Sequence, residues 1–389
     1  MLLLGIYAEY LEKNWDFNQI TQERKRLLNR ISSLRDNRDI LVFASDLTKN
    51  DPAISIDYSD LLPLKDQLSN LSGKGLDIIL ETPGGVAEVV EDAIRTIRLK
   101  YESVGIIIPG WSKSAGTILA MAGDEILMSP SSALGPVDAQ IITNRKRYSA
   151  DAFLEGLDKI KEEIAKSGKL NPAYIPILQN ISPGEIQHCE NAQNLSKDLV
   201  TKWLKNYKFK FWTHHSNGTP VTQEERHRRA EEIAKEICSQ SKWLTHGRSI
   251  SISDFQDIGL KITDYSQNNE LNDAITRYHT LLRITFENTN LYKLFETPNS
   301  QIYRFLVGNV SPPPNPGTQI TNADINFECP KCHNKFLIQA NLQKNVALKN
   351  GFIPYPIKDN MFKCPNCNTL SNISNIRLQI EAQSGKKVV

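Results

Sequence analysis

The sequence predicts an α/β protein in which a parallel sheet is covered by helices, with helical additions and a small cysteine-containing module at the C-terminal end. Two observations carry that reading. Short apolar runs rich in strand formers alternate with segments of helical spacing from Ile40 to Met128. Two Cys-x-x-Cys pairs then follow a proline-rich run near the C-terminus.

The 389 residues allow one large domain and a small one. At 40% hydrophobic and 23% charged the composition excludes wholesale disorder, and a net charge of +2 gives no global attraction to a polyanion. Basic residues exceed acidic ones from Gln301 onward, which a solvated surface explains as well as nucleic acid does. The opening Met1-Leu2-Leu3-Leu4 run is too short for a signal h-region and has no basic segment before it. No later segment approaches the ~18 uninterrupted apolar residues of a membrane span. A cytoplasmic protein with no membrane contact is expected.

In chain order, the polar segment to about Arg35 has helical spacing and predicts an N-terminal helical arm. Ile40–Ala44 predicts a strand, Tyr58–Leu71 a helix and Asp77–Leu80 a second buried strand. Helix 86–100, strand 104–108, helix 115–122 and strand 125–128 follow. From Ala150 to Trp212 the pattern is helical, broken at Gly168, Pro172, Pro176 and Pro183. A helix over Glu224–Cys238 leads to Trp243–Arg248, then a short helix closed by Gly259, a final strand, and a helical stretch from Asn272 to Phe295. The run Ser311–Gly317 reads as a stiff linker. The expected division is an arm over 1–37, the α/β domain over 38–310, a linker over 311–322 and the cysteine module over 323–389. Lys205, Lys208 and Lys210 interleave with Tyr207, Phe209, Phe211 and Trp212, and are expected to be the end of an amphipathic helix rather than a nucleic-acid platform.

Two glycine-containing turns lie at strand ends. Thr82-Pro83-Gly84-Gly85-Val86 follows one strand, and Gly110-Trp111-Ser112-Lys113-Ser114-Ala115-Gly116 follows the next. In an open α/β sheet both face the crevice beyond the carboxyl ends of the strands. A serine at a strand-to-helix turn projects its hydroxyl there, and small neighbours let a substrate carbonyl approach backbone N–H groups. Each such oxyanion donor is worth roughly 3–4 kcal/mol in an acyl-transfer transition state.

Glu81–Val86, Ser114–Thr117, Ala122–Met128 and Ser132–Gln140, in that order and spacing, resemble the serine dehydrogenase proteinase family. That family belongs with the Clp proteolytic subunit and signal peptide peptidase A in the Clp/crotonase superfamily. The resemblance runs from about Arg38 to Arg304, and its last piece is Gly247-Arg248 through Gly259-Leu260. It implies a β-α-β superhelical core and Ser114 as nucleophile. It also implies an oxyanion hole from Ala115 with Gly84 or Gly85, protein or peptide substrates, and a homo-oligomer.

The general base is left open. Clp subunits use a histidine followed by a distant aspartate, and the corresponding region here, Gly135-Pro136-Val137-Asp138, has no histidine. Signal peptide peptidases use a lysine that must be desolvated to be neutral. Lys159, Lys161 and Lys166 lie on one predicted helix, with Lys166 at the comparable separation. His246 is the other candidate, since histidine is tuned for proton transfer near neutral pH, and Asp138 could orient a base. Lys113 is expected to point away from its neighbour Ser114.

Cys329-Pro-Lys-Cys332 and Cys364-Pro-Asn-Cys367 are near-identical knuckles that predict tetrahedral Cys₄ coordination, with zinc the default ion and iron the alternative. His333 is expected to be a spectator, and a hairpin or loop around Tyr355-Pro356 to absorb the 31 residues between the knuckles. Cys189 and Cys238 stand alone, so cysteine usage fits a reducing compartment better than a disulfide framework. Such a ribbon serves a protein partner, a substrate, nucleic acid or the oligomer, and nothing in the sequence favours nucleic acid. The leading expectation is an ATP-independent serine peptidase. Its rivals are a catalytically degenerate scaffold whose ribbon binds a partner, and a crotonase-type acyl-CoA enzyme.

Overall fold

Val-, Ile- and Leu-rich runs become the strands of a parallel sheet. The computed structural model describes residues 5–142, 147–306 and 320–389. The strands up to residue 264 are β1 (Asp39–Ser45), β2 (Gly75–Glu81), β3 (Ser103–Ile108), β4 (Trp111–Ser112), β5 (Glu125–Met128), β6 (Ala133–Leu134), β7 (Gln140–Ile142), β8 (Arg147–Ser149) and β9 (Thr263–Asp264). Strands β1, β2, β3, β5 and β9 lie side by side in that order, every pairing parallel. β2 is buried along its whole length and β1 and β3 along all but their first residue, as expected of a sheet covered on both faces.

Parallel neighbours need crossovers, and helices Leu61–Ser69, Ala87–Arg98 and Ala115–Met121 supply them. Helix Ala87–Arg98 buries Val89, Val90, Ala93, Ile94 and Ile97, one apolar stripe at helical spacing. Helices Pro183–Trp203 and Gln223–Ile237 extend the same core through Leu199, Val200, Trp203, Ile233 and Ile237. A smaller ladder carries the site. β4 pairs parallel with β6, Thr82 bridges to Ser112, and Leu134 bridges antiparallel to Ile250.

Contacts divide the chain into two units, one of Ser32–Asn272 with Phe295–Ile302, the other of Met1–Ile31, Asp273–Leu294 and Tyr303–Val389. The first holds the parallel sheet. In the second, helix Phe17–Leu34 begins where Glu381 Oε2 accepts the Phe17 N–H at 3.0 Å, and Asp16 both bonds the Gln19 N–H at 2.8 Å and pairs with Lys387 at 2.5 Å. Arg24, fully buried on that helix, donates to Thr285 Oγ1 and to Tyr303 Oη, each at 2.8 Å. The N-terminal arm and the cysteine module therefore share one unit.

The elements expected up to residue 128 all form. The stretch from Asn272 to Phe295 does not stay helical: the helix ends at Glu287 and Leu291–Glu296 is a strand. Asn288-Thr289-Asn290 breaks the helix, and Leu-Tyr-Lys-Leu-Phe-Glu then satisfies its backbone as a strand. The proline-rich run Ser311–Gly317 lies outside the described residues.

Candidate active site and metal centre

Ser114 is the N-cap of helix Ala115–Met121 with φ 50° and ψ −117°, a conformation that favours glycine. Holding a serine there costs about 1–3 kcal/mol, which the surrounding hydrogen bonds sustain. Thr82 N–H donates to Trp111 O at 3.2 Å and Lys113 N–H to Thr82 O at 2.9 Å, so the two glycine-containing turns are stitched together. Gly84 has φ 102°, and a Cβ there would stand 2.7 Å from Ser114 Cβ and 2.8 Å from Lys113 O. Gly85, at φ 152°, presses against the backbone of Ile56, which donates to Gly84 O at 2.7 Å. Gly84 spends its N–H on Thr82 Oγ1 at 3.2 Å. The N–H groups of Gly85 and Ala115 donate to no group among the described residues.

Asp138 and His246 meet. The antiparallel bridge between Leu134 and Ile250 sets the register. Beyond that bridge Val137 N–H donates to Ile237 O at 3.1 Å and Arg248 N–H to Thr245 O at 3.2 Å, so a loop carries Asp138 and a turn carries His246. His246 Nδ1 is hydrogen-bonded to Asp138 Oδ1. Asp138 is buried and also accepts from Gln140 Nε2 at 2.7 Å, whereas the His246 side chain keeps 26% of its surface exposed. Trp243, buried and donating its indole N–H to Glu236 O at 2.8 Å, anchors the segment that carries His246. β6, four residues before Asp138, pairs with β4, which leads into the Ser114 turn. Among the described residues no hydrogen bond joins Ser114 Oγ to His246, whose Nδ1 is engaged by Asp138.

Lys166 has a different setting. It sits near the end of helix Ala150–Ser167 with its side chain 80% exposed, 3.6 Å from Glu162. Lys159 lines the same open surface, and Lys161 pairs with Asp158 at 2.9 Å. A lysine acts as a base only when it is desolvated, and the Lys166 side chain is exposed. Lys113, expected to point away from Ser114, is half-buried and reaches Ser249 Oγ at 3.0 Å.

Residues 52–209 match the family of ClpP-like SDH-type serine proteinases. That family segment contains both glycine-containing turns, Ser114 and Asp138, and ends before His246. Over those residues the match agrees with the ClpP-like α/β fold expected from the sequence. Two uncharacterised proteins of Methanocaldococcus jannaschii are similar, one 24% identical over 49% of this chain and 54% of its own length, the other 27% identical over 48% and 51%. The chain thus spans about half the length of these curated relatives. Among solved structures, a variant of a membrane-bound stomatin-specific protease aligns at 15% identity with a TM-score of 0.32, covering 57% of this chain and 79% of its own. A variant of ClpP1 from Listeria monocytogenes aligns at 13% with a TM-score of 0.29, covering 62% and 98%.

Outside the proteinase segment, the two cysteine knuckles are copies of one another. Cys329–Cys332 closes the turn between antiparallel strands Asn322–Glu328 and Lys335–Asn341, and Cys364–Cys367 the turn between Met361–Lys363 and Leu370–Asn372. Cys329 N–H donates to Asn334 O at 3.0 Å and Cys364 N–H to Thr369 O at 2.9 Å. His333 and Asn368 both have φ 58° and both donate their N–H to the first cysteine's carbonyl at 2.9 Å. His333 is thus a left-handed turn residue with its ring on Glu328 Oε1, and is not one of the clustered ligands. All four Sγ atoms lie within 4.8 Å of one another, with Cys329–Cys367 and Cys332–Cys364 at 3.6 Å. A tetrahedral ion with ~2.3 Å metal–sulfur bonds needs sulfurs about 3.8 Å apart, so the donor set fits one metal. Between the knuckles, Tyr355 is buried and donates to Ile373 O at 2.9 Å, packing the inserted segment onto the module.

Part of the basic-aromatic run packs into the fold, while Lys210 and Phe211 are exposed. Tyr207 stacks under the Arg98 guanidinium at 3.7 Å, and Phe209 packs edge-on against Trp212. No helix among the described residues is long and apolar enough to cross a membrane.

Proposed function

We propose that this chain is a serine peptidase whose catalytic residues are Ser114, His246 and Asp138. The observation that carries the reading is the Asp138–His246 pair, on chain that leaves the Leu134–Ile250 bridge, together with a serine in a strained strand-to-helix turn. With Nδ1 engaged by the buried carboxylate, His246 keeps Nε2 as the free ring nitrogen. In the proposed reaction Ser114 Oγ attacks a peptide carbonyl as its proton passes to Nε2. The unsatisfied N–H groups of Gly85 and Ala115 receive the developing oxyanion, while Gly84 has a steric part because its N–H is spent on Thr82. His246 then protonates the leaving amine, giving an acyl-Ser114 enzyme. Water, deprotonated by the same Nε2, cleaves that ester and restores the serine. The Ser114–His246 hydrogen bond is completed when substrate binds, as catalytic contacts commonly tighten in the Michaelis complex.

The same reading takes protein or peptide substrates, no nucleotide, and a cytoplasmic homo-oligomer. It is supported by the family of residues 52–209 and by six cysteines that form no disulfide. Zinc is proposed for the four-cysteine site, held by Cys329, Cys332, Cys364 and Cys367, where it would stabilise the module and take no part in the reaction. The test is labelling with a fluorophosphonate probe followed by intact mass and peptide mapping. A single adduct on Ser114, lost in Ser114→Ala and strongly slowed in His246→Ala, is expected. Labelling unchanged in His246→Ala would remove the histidine from the mechanism.

A further inference from the structure

Lys113 precedes the nucleophile and lies between two glycines. Gly84 stands against its carbonyl, and a Cβ on Gly135 would be 2.6 Å from Lys113 Cδ and 3.2 Å from its Cα. The glycine at 135 therefore opens a channel in which the lysine stem lies flat. At its end the ammonium has three N–H donors and meets three acceptors: Ser249 Oγ at 3.0 Å, Arg248 O at 3.3 Å and Leu134 O at 3.5 Å. No carboxylate pairs with it among the described residues, and burial lowers its pKa. The contacts join three strands of chain. Lys113 belongs to the nucleophile turn, Leu134 to the strand leading to Asp138, and Arg248 and Ser249 to the segment just after His246.

We infer that Lys113 is a positioning residue that ties the His246 segment to the Ser114 turn and so fixes the histidine at reacting distance; this rests on the proposed Ser114–His246–Asp138 reading. The backbone bridge between Leu134 and Ile250 sets the register of that segment, but it ends at Ile250 and leaves the four residues back to His246 without a further bridge. The lysine supplies the missing cross-link from the nucleophile's own turn. Because it acts through His246, its removal matters only while His246 is present.

The experiment is a double-mutant cycle read by the rate of fluorophosphonate labelling at Ser114. Lys113→Met is expected to slow labelling about 10- to 100-fold in the native background, and less than about twofold in the His246→Ala background, read at higher probe concentration. Equal slowing in both backgrounds overturns the inference, because a lysine that only supports the fold would weaken both. Labelling of Lys113→Met within twofold of native overturns it as well. Should Lys113→Met fail to fold, Ser249→Ala removes the nearest acceptor and takes its place. It is expected to slow labelling about threefold or more beside His246 and not without it, and no slowing beside His246 overturns the inference. A native protein that is never labelled at Ser114 refutes the serine-peptidase reading itself and the inference with it. A labelled native protein with an unaffected lysine variant refutes only the latter.

Discussion

Replacing Ser114 by glycine should stabilise the protein relative to replacing it by alanine, the reverse of the usual order. At an ordinary position glycine is the less stable of the two by about 0.5–1 kcal/mol, because its unfolded chain is more flexible. At φ 50° and ψ −117° an alanine keeps its clash with the backbone, and a glycine has none. Relief of the strain is worth about 1–3 kcal/mol. The glycine entropy term and the lost Cβ packing against Gly84 together take back about 1–1.5 kcal/mol. The net expectation is about 1 kcal/mol in favour of glycine, with neither variant labelled by a fluorophosphonate. The assay is urea unfolding followed by tryptophan fluorescence, to which Trp203 and Trp243, buried in the sheet-containing unit, contribute. With an m-value of ~3 kcal/mol/M the midpoints differ by about 0.3 M. A midpoint for Ser114→Ala at or above that of Ser114→Gly would show that the turn is unstrained and that the serine is not held in a nucleophile elbow.

Asp138→Asn should lower the labelling rate at Ser114 about 10³–10⁴-fold while leaving the unfolding midpoint within about 1 kcal/mol, because the amide favours the wrong histidine tautomer without emptying the site; a fall below tenfold would refute that role. Removing metal by chelation, or by Cys364→Ser, should loosen amide protection both in the knuckles and in Phe17–Ile31, since Glu381 and Lys387 of the cysteine module hold the start of that helix. Metal analysis should give one ion per chain, and unchanged exchange over 17–31 in the metal-free protein would contradict the coupling. Burial pushes Lys208 down to about 8, so the unfolded chain binds the extra proton between that value and 10.5 and stability rises with pH through this window. Lys208→Met should therefore gain ~1–2 kcal/mol at pH 7, discounted for the half-exposed side chain, and lose the gain as pH rises from 8 to 10.5. A gain independent of pH would assign it to packing alone.

The sheet was legible because its strands are buried on both faces and read as unbroken apolar runs, from Ile40–Ala44 to Glu125–Met128. Local signals also sufficed for the knuckles, where the whole ligand set is written in two short repeats. What could not be read were pairings set by distant chain. Glu381 caps a helix that begins at Phe17, 364 positions away, and neither residue type announces the other. The end of the helix from Asn269 was misplaced for a related reason, since Leu291–Glu296 is as apolar as a helix continuation and only the Asn-Thr-Asn break distinguishes them.

The site shows the same division more sharply. The proposed nucleophile Ser114 could be read from its own turn, because the glycines that admit a strained serine lie within a few residues of it or in the matching turn of the preceding strand. The proposed base could not, because a histidine's role depends on what faces its nitrogens. Spacing along the chain offered Lys166 as a candidate, and the fold leaves its side chain exposed beside Glu162. His246 and Asp138 come together beyond a single antiparallel bridge, Leu134 to Ile250, on a turn closed by Arg248 N–H to Thr245 O and a loop in which Val137 N–H bonds Ile237 O. The isoleucine at 250, fully enclosed in the core, holds that bridge in place. The hydrophobic packing of a residue with no chemistry of its own thus helps to place the proposed acid–base pair.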